Sequence, residues 1–256
     1  MKPTGIVLYD GPSLINGEQI IMVVNGFKRS QNRKTGNMLQ SWILCAKDSP
    51  LESNKSGADF AICGTCKHRH FRSCYVNLCH GPEQVHDGWK RGIYETDVSD
   101  ERLSELIEGK HIRLGAYGEP TAVPAEIWKR LTKLAAGWTG YTHRWKVCST
   151  EYREFCMASA DTYDEAIDAL VRGWKPFYVR DNDAELPPAF YICPASEEGG
   201  KRTTCKKCNV CKGGKAEGGK FPSIKIHGNA WKIVYYYRGM KRLLSKKSYA
   251  GIGWKH

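Results

Sequence analysis

Two groups of cysteines carry the clearest chemistry in this sequence. The later group places Cys193 ahead of Cys205-x2-Cys208-x2-Cys211. Two residues between cysteines let both thiolates turn toward one centre, as a tetrahedral metal requires. The residues around them are Lys, Gly and Asn rather than apolar, so these thiols read as metal ligands and not as small core hydrophobes. The earlier group holds Cys63-Gly-Thr-Cys66, then Cys74 and Cys79, with His68, His70 and His80 interleaved. Its x2 pair again reads as a metal clip. Cys74 is the third expected ligand, and the fourth is Cys79 or a histidine. Zinc is the expected ion for both groups. The sulfurs of Cys63, Cys66 and Cys74 can alternatively hold an iron–sulfur cluster with an open iron. The Cx3Cx2C signature of most radical S-adenosylmethionine enzymes is missing.

Carboxylates and a histidine form the second set of candidates. Asp161 stands where a strand stops and a helix starts, as either a helix N-terminal charge or a carboxylate nucleophile. Glu119 precedes Pro120, as a turn residue or as a second carboxylate able to act as acid or base. Asp10 is a weaker third carboxylate in a plain turn. His143, in Thr139-Gly-Tyr-Thr-His-Arg-Trp145, can donate a proton or hold a phosphate, or serve as a satisfied structural histidine. Arg144 and the loop carrying Lys28, Arg29, Arg33 and Lys34 are natural phosphate contacts, and Trp145 is a candidate stacking surface.

The elements that must position these residues alternate. A β-branched run over residues 19–27 and a second apolar run over 40–46 read as strands, after a turn-rich start at 6–17. Residues 47–62 read as polar and irregular. Helices are expected over 99–109, 124–136 and 163–172, from caps and apolar stripes. Strands are expected at 111–117, 138–145, 154–160, 175–180, 189–193 and 223–227, followed by a basic helical tail over 235–245. This strand–helix alternation implies parallel strands with crossover helices. The expected α/β fold is a single (β/α)-barrel-like domain over residues 1–256, allowing an incomplete barrel. Cysteine-rich insertions are expected at about 60–82 and 193–215. The strand-end placement of Glu119, His143, Asp161 and Arg180 favours a barrel, whose sites are assembled from loops at the carboxyl ends of strands.

Composition narrows the function. The formal net charge is +12, with 39 Lys plus Arg against 27 Asp plus Glu. Such a basic surface favours a polyanionic partner, nucleic acid above all. No signal-peptide pattern and no long apolar run are present, so a soluble cytoplasmic protein without membrane contact is expected. In that compartment eleven cysteines favour metal ligation over disulfides. A P-loop, a nucleophile elbow and a His-Glu-x-x-His motif are all absent, which lowers those enzyme classes.

Alternating strands, strand-end carboxylates and Cys205-x2-Cys208-x2-Cys211 ahead of His227 together resemble the tRNA-guanine transglycosylase superfamily, in particular its phage-type members that act on DNA. That superfamily carries a Cys-x-Cys-x2-Cys zinc site with a downstream histidine, so the spacing here departs from its pattern. The ligands would be the three cysteines with either Cys193 or His227. The resemblance implies a pentosyltransferase that exchanges guanine in DNA for a 7-deazaguanine base. Asp161 would be the nucleophile, Glu119 the second carboxylate, and His143 an aid to leaving-group protonation, with a structural zinc. The family's motifs around its two aspartates are not recognisable in this chain. Separately, Tyr9-Asp-Gly-Pro-Ser13, Lys34-Thr-Gly36, Cys63-Gly-Thr-Cys66, Cys74-Tyr-Val76, Thr139-Gly-Tyr-Thr-His143 and Cys193-Pro-Ala-Ser196 look like a widespread group of phage-encoded proteins of uncertain activity, which would place the chain in a host cytoplasm. The alternatives to base exchange are a zinc-stapled nucleic-acid-binding protein without catalysis and an iron–sulfur enzyme.

Overall fold

In the computed structural model, residues 2–28, 34–214 and 219–250 are described. Strands β1 (Gly5–Pro12), β2 (Gln19–Asn25) and β3 (Leu39–Cys45) form an antiparallel meander. In β2 every residue from Ile20 to Val24 is fully buried, because the strand is covered on both faces and flanked on both edges. β1 is the edge strand, and that position tolerates Pro12.

From β3 onward the pairing is parallel. β4 (His111–Tyr117), β5 (Gly137–Thr142), β6 (Met157–Ala160) and β7 (Pro176–Arg180) follow in order. β9 (Phe221–Lys225) then inserts between β7 and the other edge strand, β8 (Phe190–Ile192). The result is a nine-stranded, mostly parallel sheet in the order 1-2-3-4-5-6-7-9-8. The expected α/β fold with a mostly parallel sheet is present, and the sheet is not closed into a barrel by its pairing. β1 and β8 end the sheet, and no ladder joins them among the described residues.

Helices occupy the crossovers. α1 (Pro50–Ser56), α2 (Phe60–Cys63), α3 (Lys67–Phe71), α4 (Gly81–Lys90) and α5 (Asp100–Ile107) lie between β3 and β4. α6 (Ala125–Leu134) and α7 (Tyr163–Val171) serve the next crossovers. α8 (Cys205–Cys208) is a single turn, and α9 (Ala230–Ala250) follows β9. α6 turns Trp128 and Leu131 into the core, and the Trp128 indole donates to the Pro120 carbonyl at 2.8 Å. The stretches around 60–82 and 193–215 do not stand apart as insertions. Their short helices α2 and α8 pack on the sheet, against β2 and β3 and against β5 respectively.

Two expectations of local structure are revised. Residues 47–62 are helical rather than irregular. The Ser49 hydroxyl caps α1 in a reciprocal capping box with Glu52, Pro50 opens the helix, and Gly57 closes it with φ 88°. The turn-rich start is a strand, with a bulge between Val7 and Tyr9. Among the described residues, no helix is long and apolar enough to cross a membrane.

Candidate metal centre

The candidate site gathers at the carboxyl ends of β3 to β6. The long connection after β3 delivers Cys63, at the end of α2, and Cys66, just before α3. Between them Gly64 adopts φ 54°, and a Cβ there would run into the Arg144 guanidinium. The loop is anchored from below by Asp59, which accepts from Arg69 Nε at 2.6 Å and from Asn54 at 3.0 Å. Arg69 also donates to the Gly57 carbonyl at 2.8 Å.

The three thiols of Cys63, Cys66 and Cys74 lie within electrostatic reach of one another. Burial raises the Cys63 thiol well above its ordinary range, and Cys66 and Cys74 add to the rise. Cys74 is also raised, first by burial and then by Cys66, while the Val76 amide, His143 and Lys232 oppose it. Cys79, His70 and His80 are exposed.

Glu119 reaches this centre from β4. Gly118, at φ 82°, presses so closely on Ile43 that a Cβ would stand 2.7 Å from that residue's Cβ. The next residue is thereby tucked under the cysteine loop, and the Glu119 amide donates to the Ile62 carbonyl at 2.7 Å. The buried carboxylate accepts from Thr142 Oγ1 at 2.7 Å and from the His143 amide at 2.9 Å, and meets His143 Nδ1 at 3.2 Å. The Cys66 thiol lies beside the His143 imidazole. Burial alone would lower the His143 pKa, but Cys66 and Glu119 outweigh this and raise it well above the usual value. The donor atoms of Cys66, Glu119 and His143 all fall within 4.8 Å of one another, a set able to hold a cation.

Asp161 begins the connection after β6, and its side chain is fully buried. Lys67 Nζ meets one oxygen at 2.9 Å and His68 Nε2 the other at 3.2 Å. Lys67 is shared with Glu165 at 2.7 Å, and Glu165 in turn accepts from the Asp161 amide at 3.0 Å. Burial works to raise the Asp161 pKa, but His68 and Lys67 prevail and hold the carboxyl far below the usual range. His68, His143 and Asp161 form a second close set. Its carboxylate is already engaged by an ammonium group, so the set reads as an ion-paired wall beside the thiols.

α9 lies across the cysteine loop. Tyr236 stacks on His68 with ring centroids 5.8 Å apart, and its hydroxyl donates to the Asp161 carbonyl at 3.1 Å. Lys232 donates to the Val76 carbonyl at 2.9 Å. Gly239 approaches the Phe71 ring so closely that any side chain would collide with it.

The remaining candidates are scattered. Trp145 is buried and donates to the Ser159 carbonyl at 3.0 Å, so its ring offers no free face for a base. Arg144 turns inward against Gly64, with its Nε buried and unpartnered. Lys28 is exposed, and the Lys34 carbonyl accepts from the Cys205 amide at 2.9 Å. Arg29 and Arg33 lie outside the described residues. The carboxylate of Asp10 accepts from Gln19 at 2.6 Å on an exposed surface.

Cys193, Cys205, Cys208 and Cys211 converge separately, below Tyr141 and Phe177. His227 is not with them. It stacks on Tyr75 at 5.9 Å, and burial and then Lys34 lower its pKa, with no thiol among the groups acting on it. Sequence reasoning missed Lys67, Lys232 and Tyr236, and offered His68 only as one of several histidines that could complete the ligand set. Lys67 sits one residue beyond Cys66 and reads in sequence as a surface charge. Lys232 and Tyr236 repeat every four residues on a helix, which signals a packed face.

No protein-family model matches the chain, and no curated protein and no solved structure is significantly similar to it.

Proposed function

We propose that the chain is an iron–sulfur enzyme in which Cys63, Cys66 and Cys74 hold a cluster with one iron left open. One observation carries this reading: Cys63, Cys66 and Cys74 lie within electrostatic reach of one another beside a buried Glu119–His143 pair, and three cysteines are the protein ligand set of a cluster with one iron open.

Three protein ligands leave the fourth iron for a small molecule. S-adenosylmethionine is the co-substrate class that suits it, because its amino and carboxylate groups chelate iron and its sulfonium accepts an electron. Glu119, buried at that position, offers an acceptor to an ammonium group. The spacing x2 then x7 departs from the Cx3Cx2C pattern, so the protein would be an unusual member of that chemistry. Side chains from four consecutive parallel connections meeting at one centre support a curled, barrel-like sheet, open between β8 and β1. Nucleic acid as the macromolecular partner rests on the +12 charge.

Base exchange is the weaker proposal. It asks Asp161 to attack a sugar carbon, yet both oxygens of that fully buried carboxylate are met by Lys67 and His68.

The test is anaerobic purification with iron and sulfide analysis. The expected result is a brown protein whose visible absorbance bleaches with dithionite and whose reduced-state electron paramagnetic resonance (EPR) signal changes when S-adenosylmethionine is added. The triple variant Cys63→Ala/Cys66→Ala/Cys74→Ala would lose the responsive signal. A colourless wild-type protein, or a signal indifferent to both the co-substrate and the triple substitution, overturns the reading.

A further inference from the structure

We infer that the outward stripe of α9 is a docking track for an unpaired nucleic-acid strand, with stacking residues at its start and phosphate contacts beyond them.

The stripe follows from how the helix is seated. Lys232, Tyr236 and Gly239 face the protein and are buried. Trp231, Val234, Tyr235, Arg238, Lys241 and Arg242 recur at helical spacing on the other side, and all six are exposed. The first three are large apolar or aromatic side chains, 52%, 45% and 40% exposed respectively. A helix whose inner face is already packed has no need of such residues on its outer one. Trp231 and Tyr235 meet edge to face with ring centroids 5.8 Å apart, and the Lys232 ammonium lies 5.3 Å from the indole centre. Both rings are thus held in place while still reaching solvent.

A second aromatic pair stands just ahead of the helix. Tyr75, which stacks on His227, is 53% exposed, and Arg113 donates to its hydroxyl at 2.6 Å. A Cβ at Gly228 would lie 3.9 Å from that of Tyr75, and Lys232 holds the carbonyl of the next residue, Val76. The two aromatic pairs therefore flank the start of α9.

Charge supplies the rest. α9 carries six Lys or Arg and no Asp or Glu, half of the chain's formal net charge of +12 in 21 residues. Arg238, Lys241 and Arg242 join no ion pair among the described residues. Asp181, on the flank, is held by the Tyr237 hydroxyl at 2.7 Å and not by these cations. Stacking groups followed by cations along one line suit an unpaired strand, whose bases are free to stack and whose phosphates run beside them. The six residues span about 17 Å of helix axis, enough for several nucleotides. A duplex would hide its bases from the rings. A helix built to lie on a membrane would carry its cations on the face opposite its apolar residues, whereas here they share one stripe. The inference rests on the nucleic-acid partner proposed above and is independent of the iron–sulfur reading.

The test is fluorescence anisotropy of labelled oligothymidylate and oligouridylate of about 16 nucleotides, titrated with the full chain over a range of salt concentrations. Trp231→Ala/Tyr235→Ala is expected to weaken binding about tenfold to a hundredfold, the worth of lost base stacking. Arg238→Gln/Lys241→Gln/Arg242→Gln is expected to reduce the slope of log affinity against log salt by about 2, through three lost phosphate contacts. Wild-type binding that both variants retain unchanged overturns the track and leaves a nucleic-acid partner standing elsewhere on the molecule. No binding by the wild type overturns the partner and the track together. A preference for the matching duplex overturns the unpaired strand, and binding to phosphatidylserine vesicles without binding to either oligonucleotide assigns the stripe to a membrane. Should either variant not fold, photo-cross-linking of an iododeoxyuridine-containing oligonucleotide to the wild type decides. Cross-links mapped by mass spectrometry to residues 231–242 support the track, and cross-links confined to other segments overturn it.

Discussion

Asp161 carries a negative charge in a fully buried side chain because Lys67 and His68 face its two oxygens. A charge so placed is costly to strand. Asp161→Asn removes the carboxylate but leaves the Lys67 ammonium, and this is expected to destabilise the protein by about 3–5 kcal/mol at neutral pH. The sign of the pH effect follows from the lowered carboxyl pKa. Its stabilisation is complete above the unfolded value of about 3.9 and is lost as pH falls below it. Urea unfolding should therefore show the gap between wild type and variant narrowing below about pH 4. A gap that stays constant into acid would mean the ion pair is not its source. Glu119 makes a different prediction. Glu119→Gln keeps an acceptor oxygen for Thr142 but loses the charge that would meet an ammonium group. Iron content should stay at the wild-type level while S-adenosylmethionine binding, followed by EPR titration, weakens about tenfold to a hundredfold, the worth of a charged hydrogen bond. Unchanged binding would remove Glu119 from the co-substrate site.

At the scale of single elements, α5, α6 and α7 were legible because each joins a start signal to an apolar stripe. Ser99 and Thr162 cap α5 and α7 with their hydroxyls, and Trp128 and Leu131 mark the inner face of α6. α1 carries equally good caps but no stripe. Its sequence, Pro-Leu-Glu-Ser-Asn-Lys-Ser, buries only Pro50 and Ser53, so apolar periodicity gives no sign of it. β1 was hidden for the opposite reason: its last residues, Asp10, Gly11 and Pro12, are turn formers that an edge strand accepts. The capping box of α1 has a measurable worth. Ser49→Ala should cost about 1 kcal/mol by equilibrium unfolding, and Ser49→Asp should restore most of it. Equal losses in both variants would show that the cap contributes nothing.

Across the whole molecule, parallel strands and the residues at their ends could be read from sequence, and closure could not. Alternation predicts the crossovers, but whether a sheet closes depends on pairing between its first and last strands, and here β9 slips inside β8. The candidate site was legible to the same extent. Glu119, His143 and Asp161 were placed at strand ends by pattern, while the partners that define Asp161, Lys67 and His68, come from more than 90 residues earlier in the chain. The second cysteine group lies where β5, β9 and the residues just before β3 meet, so if it holds the metal its spacing predicts, removal of that metal should be felt globally. A metal held about a thousandfold below its free concentration stabilises by about 4 kcal/mol. For a chain of this size that corresponds to roughly 8–16 °C in melting temperature. Calorimetry of chelated against reconstituted protein measures it, and coincident transitions would show that the sulfurs are not a staple.

α9 gives the site a schedule. Lys232 grips a carbonyl of the cysteine loop from 156 residues further along the chain. The three thiols precede α9 in the chain, so in vectorial synthesis they emerge before the helix that covers them. Under the proposed reading, that order separates loading from retention: the early loop would receive a cluster, and the docking of α9 would latch it in place.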